Sequence, residues 1–167
     1  MKKMTQTFLQ DAFSGESQAH MKYLAFSEIA EKEGYPNVAK LFKAISYAEQ
    51  VHATNHARNL GYIQKTAENL QAAMDGENFE VDEMYPAYDA VAKLQEEKGA
   101  EKSIHYAIEA EKIHAQMYSD AKTEVVKGKD IEIDDVYICP ICGFTHIGTP
   151  PDFCPVCSAP KDKFKVF

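Results

Sequence analysis

Four cysteines near the end of the chain form two matching pairs, Cys139-Pro-Ile-Cys142 and Cys154-Pro-Val-Cys157, and no cysteine occurs elsewhere. In a reducing cytoplasm such pairs hold a metal more often than they form disulfides. Four thiolates around one ion make a tetrahedral site that suits zinc or a single iron. The spacing therefore predicts one metal bound by all four cysteines, and it leaves open whether that metal is a structural zinc or a redox-active iron.

A second group of candidate functional residues consists of glutamates that lie within the apolar stripes of predicted helices. Glu16, Glu49 and Glu111 each share a helical face with apolar residues, and Glu80 and Glu83, one turn apart, lead into another such face. A carboxylate is rarely buried without a counter-charge, because desolvating the ion costs several kcal/mol. The neighbouring positions of these stripes contain no lysine or arginine. Metal ions are therefore the predicted counter-charges.

Two of these glutamates precede a histidine by three residues, as Glu49-x-x-His52 and Glu111-x-x-His114. Di-iron and di-manganese carboxylate bundles use this pair on two helices and a glutamate from each of the other two. Chance alone would give about 0.9 acid-x-x-His pairs in this composition, so the spacing by itself is weak. Both pairs, however, are directly preceded and followed by alanine. This shared frame favours two related helices that face a two-metal site.

The elements that would position these residues follow from apolar periodicity and turn signals. Helices are predicted near residues 5–33, 37–61, 79–97 and 100–127, which is the inventory of an all-α four-helix bundle. The segment 62–78 is predicted to be the longest connection, and when extended it would span roughly 50 Å, enough to cross a bundle. Spacing alone leaves open whether this region supplies Glu80 and Glu83 or Glu77 and Glu80.

The apolar spacing changes after Gly128, and turns rich in proline, glycine and cysteine follow. We therefore predict two domains, a helical bundle over 1–130 and a small metal-stabilised domain over 131–167. The polar linker 128–136 indicates that the small domain need not dock on its own bundle. We accordingly predict at least a homodimer, in which the cysteine-bound metal of one subunit serves the helical metal site of another.

Composition and charge exclude several classes of function. The chain has 167 residues, 45% of them hydrophobic, and 26 acidic against 18 basic residues give a formal charge of −8. Such a surface would repel a phosphate backbone, so we expect no nucleic-acid partner. No apolar run resembles a signal peptide or reaches the 18 or so residues of a membrane span. We expect a cytoplasmic protein with no membrane association.

The order of these motifs resembles the rubrerythrin family, in which a ferritin-like di-iron domain precedes a rubredoxin-like domain. The resemblance covers the whole chain. It rests on Gly15-Glu16-Ser17-Gln18-Ala19, Glu49-x-x-His52, Glu80-x-x-Glu83-Met84-Tyr85-Pro86, Glu111-x-x-His114 and the two cysteine pairs.

The resemblance implies a set of catalytic metal ligands, and it selects Glu80 and Glu83 over Glu77 and Glu80. The implied ligands of a carboxylate-bridged di-iron site are Glu16, Glu49, His52, Glu80, Glu83, Glu111 and His114. Cys139, Cys142, Cys154 and Cys157 would hold one further iron. By the same resemblance one iron would exchange His52 for Glu83 as its oxidation state changes.

The activity that the resemblance implies is the reduction of hydrogen peroxide to water in oxidative stress defence. Electrons would come indirectly from NAD(P)H, through a reductase, a rubredoxin or both, and then through the cysteine-bound iron. An alternative enzyme is a ferroxidase that oxidises Fe²⁺, since a ferritin-like di-iron site supports both reactions. A non-enzymatic alternative is a metal-binding or scaffold protein with a zinc knuckle.

Overall fold

Helices form most of the chain, and a computed structural model describes all residues, Met1–Phe167. The α-helices are α1 (Lys3–Lys32), α2 (Pro36–Leu60), α3 (Thr66–Phe79), α4 (Tyr85–Leu94) and α5 (Lys98–Val126). A π-helical segment, Glu80–Met84, joins α3 to α4 without a break. These two helices are therefore the halves of one interrupted helix, and the predicted inventory of four main helices is confirmed. Residue contacts divide the chain into two units, Met1–Gln64 and Lys65–Phe167.

The first unit is a helical hairpin in which α1 packs on α2. Its buried residues are all small: Ser27, Ala30, Ala39, Ser46, Ala53 and Ala57. Small side chains let the two helix backbones approach closely. Ser46 is fully buried, and its hydroxyl donates a hydrogen bond to the carbonyl oxygen of His20 (2.9 Å) and also contacts His20 Nδ1. His20 is thereby used to join α1 to α2.

The ends of the hairpin follow the sequence signals. Gly34, in the turn between α1 and α2, has a φ of +83°, and Gly61, which ends α2, has a φ of +77°. Both angles lie in the left-handed region that glycine adopts without steric cost. Pro36 begins α2, where its missing N–H is not needed. These predicted boundaries are confirmed.

The predicted connection 62–78 is wrong, because the chain is helical from Thr66 onward. Gly76, which falls within that predicted connection, lies inside α3 and has no positive φ. A glycine inside a helix costs only about 1 kcal/mol relative to alanine. Packing of α3 along α5 outweighs that cost. Short-range turn signals could not report this tertiary contact.

The second unit combines α3, α4 and α5 with a small antiparallel sheet. Its strands are β1 (Val136–Ile138), β2 (Thr145–Ile147) and β3 (Lys165–Val166), in the order β2-β1-β3. In the register of β1 and β2, Tyr137 lies opposite His146 and Ile138 opposite Thr145. Residues 129–135 form neither helix nor strand. They contain the sequence-predicted domain boundary at residue 130, which stays a prediction.

The cysteine-rich segment docks on α5 of its own chain. Tyr106 and Ile113 pack against its buried core, and the position of a Cβ on Gly143 would lie only 3.7 Å from the Cβ of Ala110. We expected from the polar linker that this segment need not dock on its own helices. The structure corrects that expectation, because apolar side chains of α5 provide a surface that linker composition does not reveal. No helix is both long enough and apolar enough to cross a membrane.

Candidate metal centres

The first unit brings three of the predicted ligands together, and we call them the N-terminal cluster: Glu16 of α1 with Glu49 and His52 of α2. One ligand atom from each lies within 4.8 Å of the others. His52 Nδ1 is 3.0 Å from Glu49 Oε2 and 3.8 Å from Glu16 Oε1. The histidine side chain is 53% exposed. Helices α1 and α2, which pack together through small residues, thus place three potential metal ligands side by side at an open site.

The second unit contains a matching C-terminal cluster, formed by Glu77 of α3 with Glu111 and His114 of α5. Its ligand atoms also lie within 4.8 Å of one another, and His114 Nδ1 is 2.6 Å from Glu111 Oε2. Glu80 lies close enough for the charge of Glu111, after burial, to raise the Glu80 pKa. The structure therefore directs Glu77, and beside it Glu80, toward the second Glu-x-x-His pair.

The structure does not bring Glu83 into either cluster, although the resemblance selected it. Glu83 is exposed. The physical reason is the π-helical segment, which has more residues per turn than an α-helix, so a three-residue step after Glu80 no longer returns to the same face. Glu77 lies three residues before Glu80 in regular α-helix and does share its face. Sequence spacing had left Glu77 open as an alternative, and the resemblance set it aside.

Two tyrosines lie beside the C-terminal cluster. Burial, and then the charges of Glu80, Glu111 and Glu77, raise the pKa of Tyr85. Burial, and then the charges of Glu77 and Glu111, raise the pKa of Tyr118. The sequence analysis assigned no role to either tyrosine. The available signal was that Tyr118 lies seven residues after Glu111, which is two turns along the same helical face.

The two clusters have the chemistry of cation sites. No lysine or arginine forms an ion pair with Glu16, Glu49, Glu77 or Glu111. Burial raises the pKa of Glu77 to about 7, and hydrogen bonding to Glu111 and the charges of Glu111 and Glu80 add to the effect. In the absence of a metal, a proton thus offsets part of the negative charge. Carboxylate oxygens and imidazole nitrogens are ligands of iron in proteins, so these residues fit a pair of iron ions.

The four predicted cysteine ligands also come together. All are free thiols with sulfur atoms within 4.8 Å of one another; Cys139 Sγ is 3.5 Å from Cys157 Sγ, and Cys142 Sγ is 3.4 Å from Cys154 Sγ. Burial raises the pKa of Cys142. At Cys139 burial also acts to raise the pKa, but hydrogen bonds from the backbone of Ile141 and Cys142 and from the side chains of Cys157 and Cys142 together lower it. The donor set fits one iron ion.

The two cysteine pairs have the same backbone conformation. The N–H of Gly143 donates to the carbonyl of Cys139 (2.9 Å), and the N–H of Ser158 donates to the carbonyl of Cys154 (2.8 Å). Gly143 has a φ of +80° and Ser158 a φ of +62°. Ser158 adopts this left-handed conformation at a cost of roughly 1–2 kcal/mol. The matching turns hold two thiols each, as the repeated sequence pattern predicts.

The raised pKa of Glu77 predicts a pH dependence in the metal-free protein. Between pH 4.5, the ordinary pKa, and about 7, the folded chain holds a proton that the unfolded chain has released. Stability should therefore fall as pH rises through this window. Thermal unfolding followed by circular dichroism is expected to give a lower Tm at pH 8 than at pH 5, and Glu77→Gln should reduce the difference. An unchanged pH dependence in that variant would contradict the assignment.

Family comparisons cover both parts of the chain. Residues 7–122 match the family model described as rubrerythrin. Residues 137–165 match the model described as the rubredoxin-like domain of rubrerythrin. The first match contains both Glu/His clusters, and the second contains the four cysteines.

Individual proteins are similar over nearly the full chain. Rubrerythrin-2 of Clostridium acetobutylicum is 47% identical, over 98% of this chain and 97% of that protein. Nigerythrin of Nitratidesulfovibrio vulgaris is 36% identical, over 95% of this chain and 84% of that protein. A solved structure of fully reduced, all-ferrous nigerythrin matches with a TM-score of 0.58 and 30% identity, covering 98% of this chain and 86% of the other.

Proposed function

The chain belongs to the rubrerythrin family, and from this membership we propose that it is a peroxidase that reduces hydrogen peroxide to water. The family supports a di-iron oxidoreductase of oxidative stress defence. The single observation that carries the proposal is the presence, in one chain, of two Glu/His clusters and a four-thiolate site. The Glu/His clusters can hold an iron pair that reacts with peroxide. The four-thiolate site can hold a one-electron carrier that reduces the iron pair again.

Seven side chains are proposed as iron ligands, in two sets that belong to separate units of the chain. They are Glu16, Glu49 and His52 of the N-terminal cluster, Glu77, Glu111 and His114 of the C-terminal cluster, and Glu80. Summed over both clusters and Glu80, five carboxylates exceed the four positive charges of two ferrous ions by only one, so the bound iron would offset most of their charge. When bound, the iron pair supplies the two electrons that break the O–O bond.

The surrounding residues have roles that do not depend on the metal. Glu49 and Glu111 lie 3.0 and 2.6 Å from the Nδ1 of their own helix's histidine, so each pair presents a carboxylate and an imidazole on one helical turn. The open side of His52, 53% exposed, offers a small molecule such as peroxide access to the N-terminal cluster. Tyr85 and Tyr118 stay protonated at neutral pH and can donate hydrogen bonds toward the carboxylates.

Rapid mixing tests the proposed activity against the ferroxidase alternative. We expect anaerobically reduced, iron-loaded protein to be reoxidised by stoichiometric peroxide faster than by dissolved oxygen. In steady state, peroxide should drive NADH oxidation through a coupling reductase, with two electrons and two protons consumed per peroxide. Faster reoxidation by oxygen, or turnover with added Fe²⁺ but not with peroxide, would reject the peroxidase in favour of a ferroxidase.

The electron donor and the cellular setting belong to the same proposal. We propose that a rubredoxin, an NAD(P)H-dependent reductase, or both, deliver electrons to the cysteine-bound iron. Four free thiols suit a reducing compartment, which supports a cytoplasmic location. Assembly into at least a dimer stays a prediction. Its argument from an undocked small domain no longer applies, because that domain contacts α5 of its own chain.

A further inference from the structure

A chain of hydrogen bonds joins the C-terminal cluster to one of the cysteine pairs. His114 Nε2 lies 2.7 Å from Thr145 Oγ1, and this hydroxyl donates to the carbonyl oxygen of Gly143 at 3.1 Å. Gly143 directly follows Cys142. The contacts lie within the second unit, so a histidine of the Glu/His cluster is connected to the cysteine site of the same chain.

The contacts of the His114 ring suit a histidine that binds a metal through Nδ1. A threonine hydroxyl has one hydrogen, and here it is donated to Gly143, whose carbonyl can only accept. When Nδ1 binds a metal, Nε2 must carry the ring proton and can donate it to this hydroxyl oxygen. Nδ1 and Glu111 Oε2 lie 2.6 Å apart, so they are the two atoms that would face such a metal.

Water cannot easily replace the hydroxyl. Thr145 is only 5% exposed, and Ala110, which approaches Gly143, is 3% exposed. The same interface buries the aromatic core of the cysteine domain against Ile113, one residue before His114. Hydrogen bonds in such low-dielectric surroundings are stronger than in water, and an unmatched partner there is costly. The connection therefore depends on a side-chain hydroxyl at position 145.

We propose that Thr145 is a positioning residue that orients His114 for the iron pair and connects that pair electronically to the cysteine-bound iron of the same chain. This inference rests on the proposed function. With both sites loaded, each transfer would oxidise the cysteine-bound iron from ferrous to ferric and reduce an iron held by His114 from ferric to ferrous. No covalent bond breaks, and the protons stay on Nε2 and Oγ1. Two such transfers restore the two electrons that one peroxide consumes.

Substitutions at Thr145 in the full-length, iron-loaded protein test the proposal. Thr145→Val removes the hydroxyl at nearly constant shape, Thr145→Ser keeps it, and Thr149→Val makes the same change at an exposed threonine of the same domain. After full reduction and mixing with excess peroxide, the rate at which ferric absorbance of the cysteine site returns reports the internal transfer. We expect Thr145→Val to slow that rate about tenfold. Thr145→Ser and Thr149→Val should match the parent.

A second measurement does not depend on turnover. The electron paramagnetic resonance spectrum of the iron pair, chemically reduced by one electron, reports the orientation of its histidine ligands. We expect it to shift in Thr145→Val and to return to the parental form in Thr145→Ser. The reduction potential of the cysteine-bound iron should be unchanged in both, because its four ligands are intact. If Thr145→Val does not fold, Thr145→Ala removes the same hydroxyl without adding a methyl group.

Parental rate and spectrum in the variant without the hydroxyl would overturn the proposal. Equal slowing in Thr145→Val and Thr145→Ser would also overturn it, since packing rather than the hydrogen bond would then be responsible. A parent protein that fails to reduce peroxide would instead reject the proposed function. The resonance comparison uses a chemical reductant, so it would still decide the role of Thr145.

Discussion

Replacing Cys142 with serine is expected to leave a protein that reacts once with peroxide but turns over slowly. Cys142 is buried, and its sulfur lies 3.4 Å from that of Cys154. Loss of one thiolate perturbs the tetrahedral site, so the carrier no longer returns electrons. We expect steady-state turnover to fall on the order of a hundredfold, equivalent to about 2.7 kcal/mol in the barrier. Chemically reduced protein should still consume one equivalent of peroxide.

Visible absorbance and a control variant separate the loss of the cysteine-bound metal from other effects of the substitution. Visible absorbance reports the cysteine site, because four thiolates around ferric iron absorb strongly whereas a zinc site is colourless. Ile141→Ser is the matched control, since Ile141 lies in the same Cys-x-x-Cys turn but is 58% exposed and carries no ligand atom. If Cys142→Ser turns over at the parental rate, the cysteine site lies outside the electron route. Its role would then be structural.

The second large effect is expected for the substitution Glu77→Ala, and Glu83→Ala is the variant compared with it. Glu77→Ala removes a carboxylate from the C-terminal cluster, so we expect less than the full complement of two irons in the pair and peroxide turnover reduced on the order of a hundredfold or more. Glu83→Ala removes an exposed carboxylate outside both clusters. We expect it to keep both irons and the parental turnover.

Iron analysis and peroxide assays on both variants decide between two assignments. The geometry favours Glu77 with Glu80, whereas motif resemblance favoured Glu80 with Glu83. Full iron and full activity in Glu77→Ala, together with lost turnover in Glu83→Ala, would restore the assignment made from resemblance. The exchange of one iron between His52 and a glutamate would then again involve Glu83 rather than a residue of the α3 face.

The helical part of the site could be predicted where the chemistry is local. Each Glu-x-x-His pair lies on one helical turn, so spacing alone places its two side chains side by side. The cysteine pairs are equally local, because each turn binds its own two thiols. The helix ends at Gly34 and Gly61 could be predicted for the same reason, since each depends only on the backbone conformation of the glycine itself.

Features that depend on distant contacts could not be read in this way. The helix from Thr66 to Leu94 contains Gly76 and a π-helical segment, and packing on α5 keeps it intact. That segment changes the relation between Glu80 and Glu83, which no count of residues reveals. The bond from Thr145 to His114 joins positions 31 residues apart. It becomes visible only when the cysteine domain has docked on α5.

The π-helical segment also bears on which insertions this chain can accept. Five residues absorb one extra residue, and regular helix resumes at Tyr85, so the halves before and after it each keep their own contact with α5. An insertion in the middle of α5 would instead rotate everything beyond it by about 100°. For the packing of these helices, the gain or loss of a single codon is therefore less damaging at Glu80–Met84 than in the middle of α5. There it would turn Glu77 and Glu80 relative to Tyr85 without detaching either half of the helix.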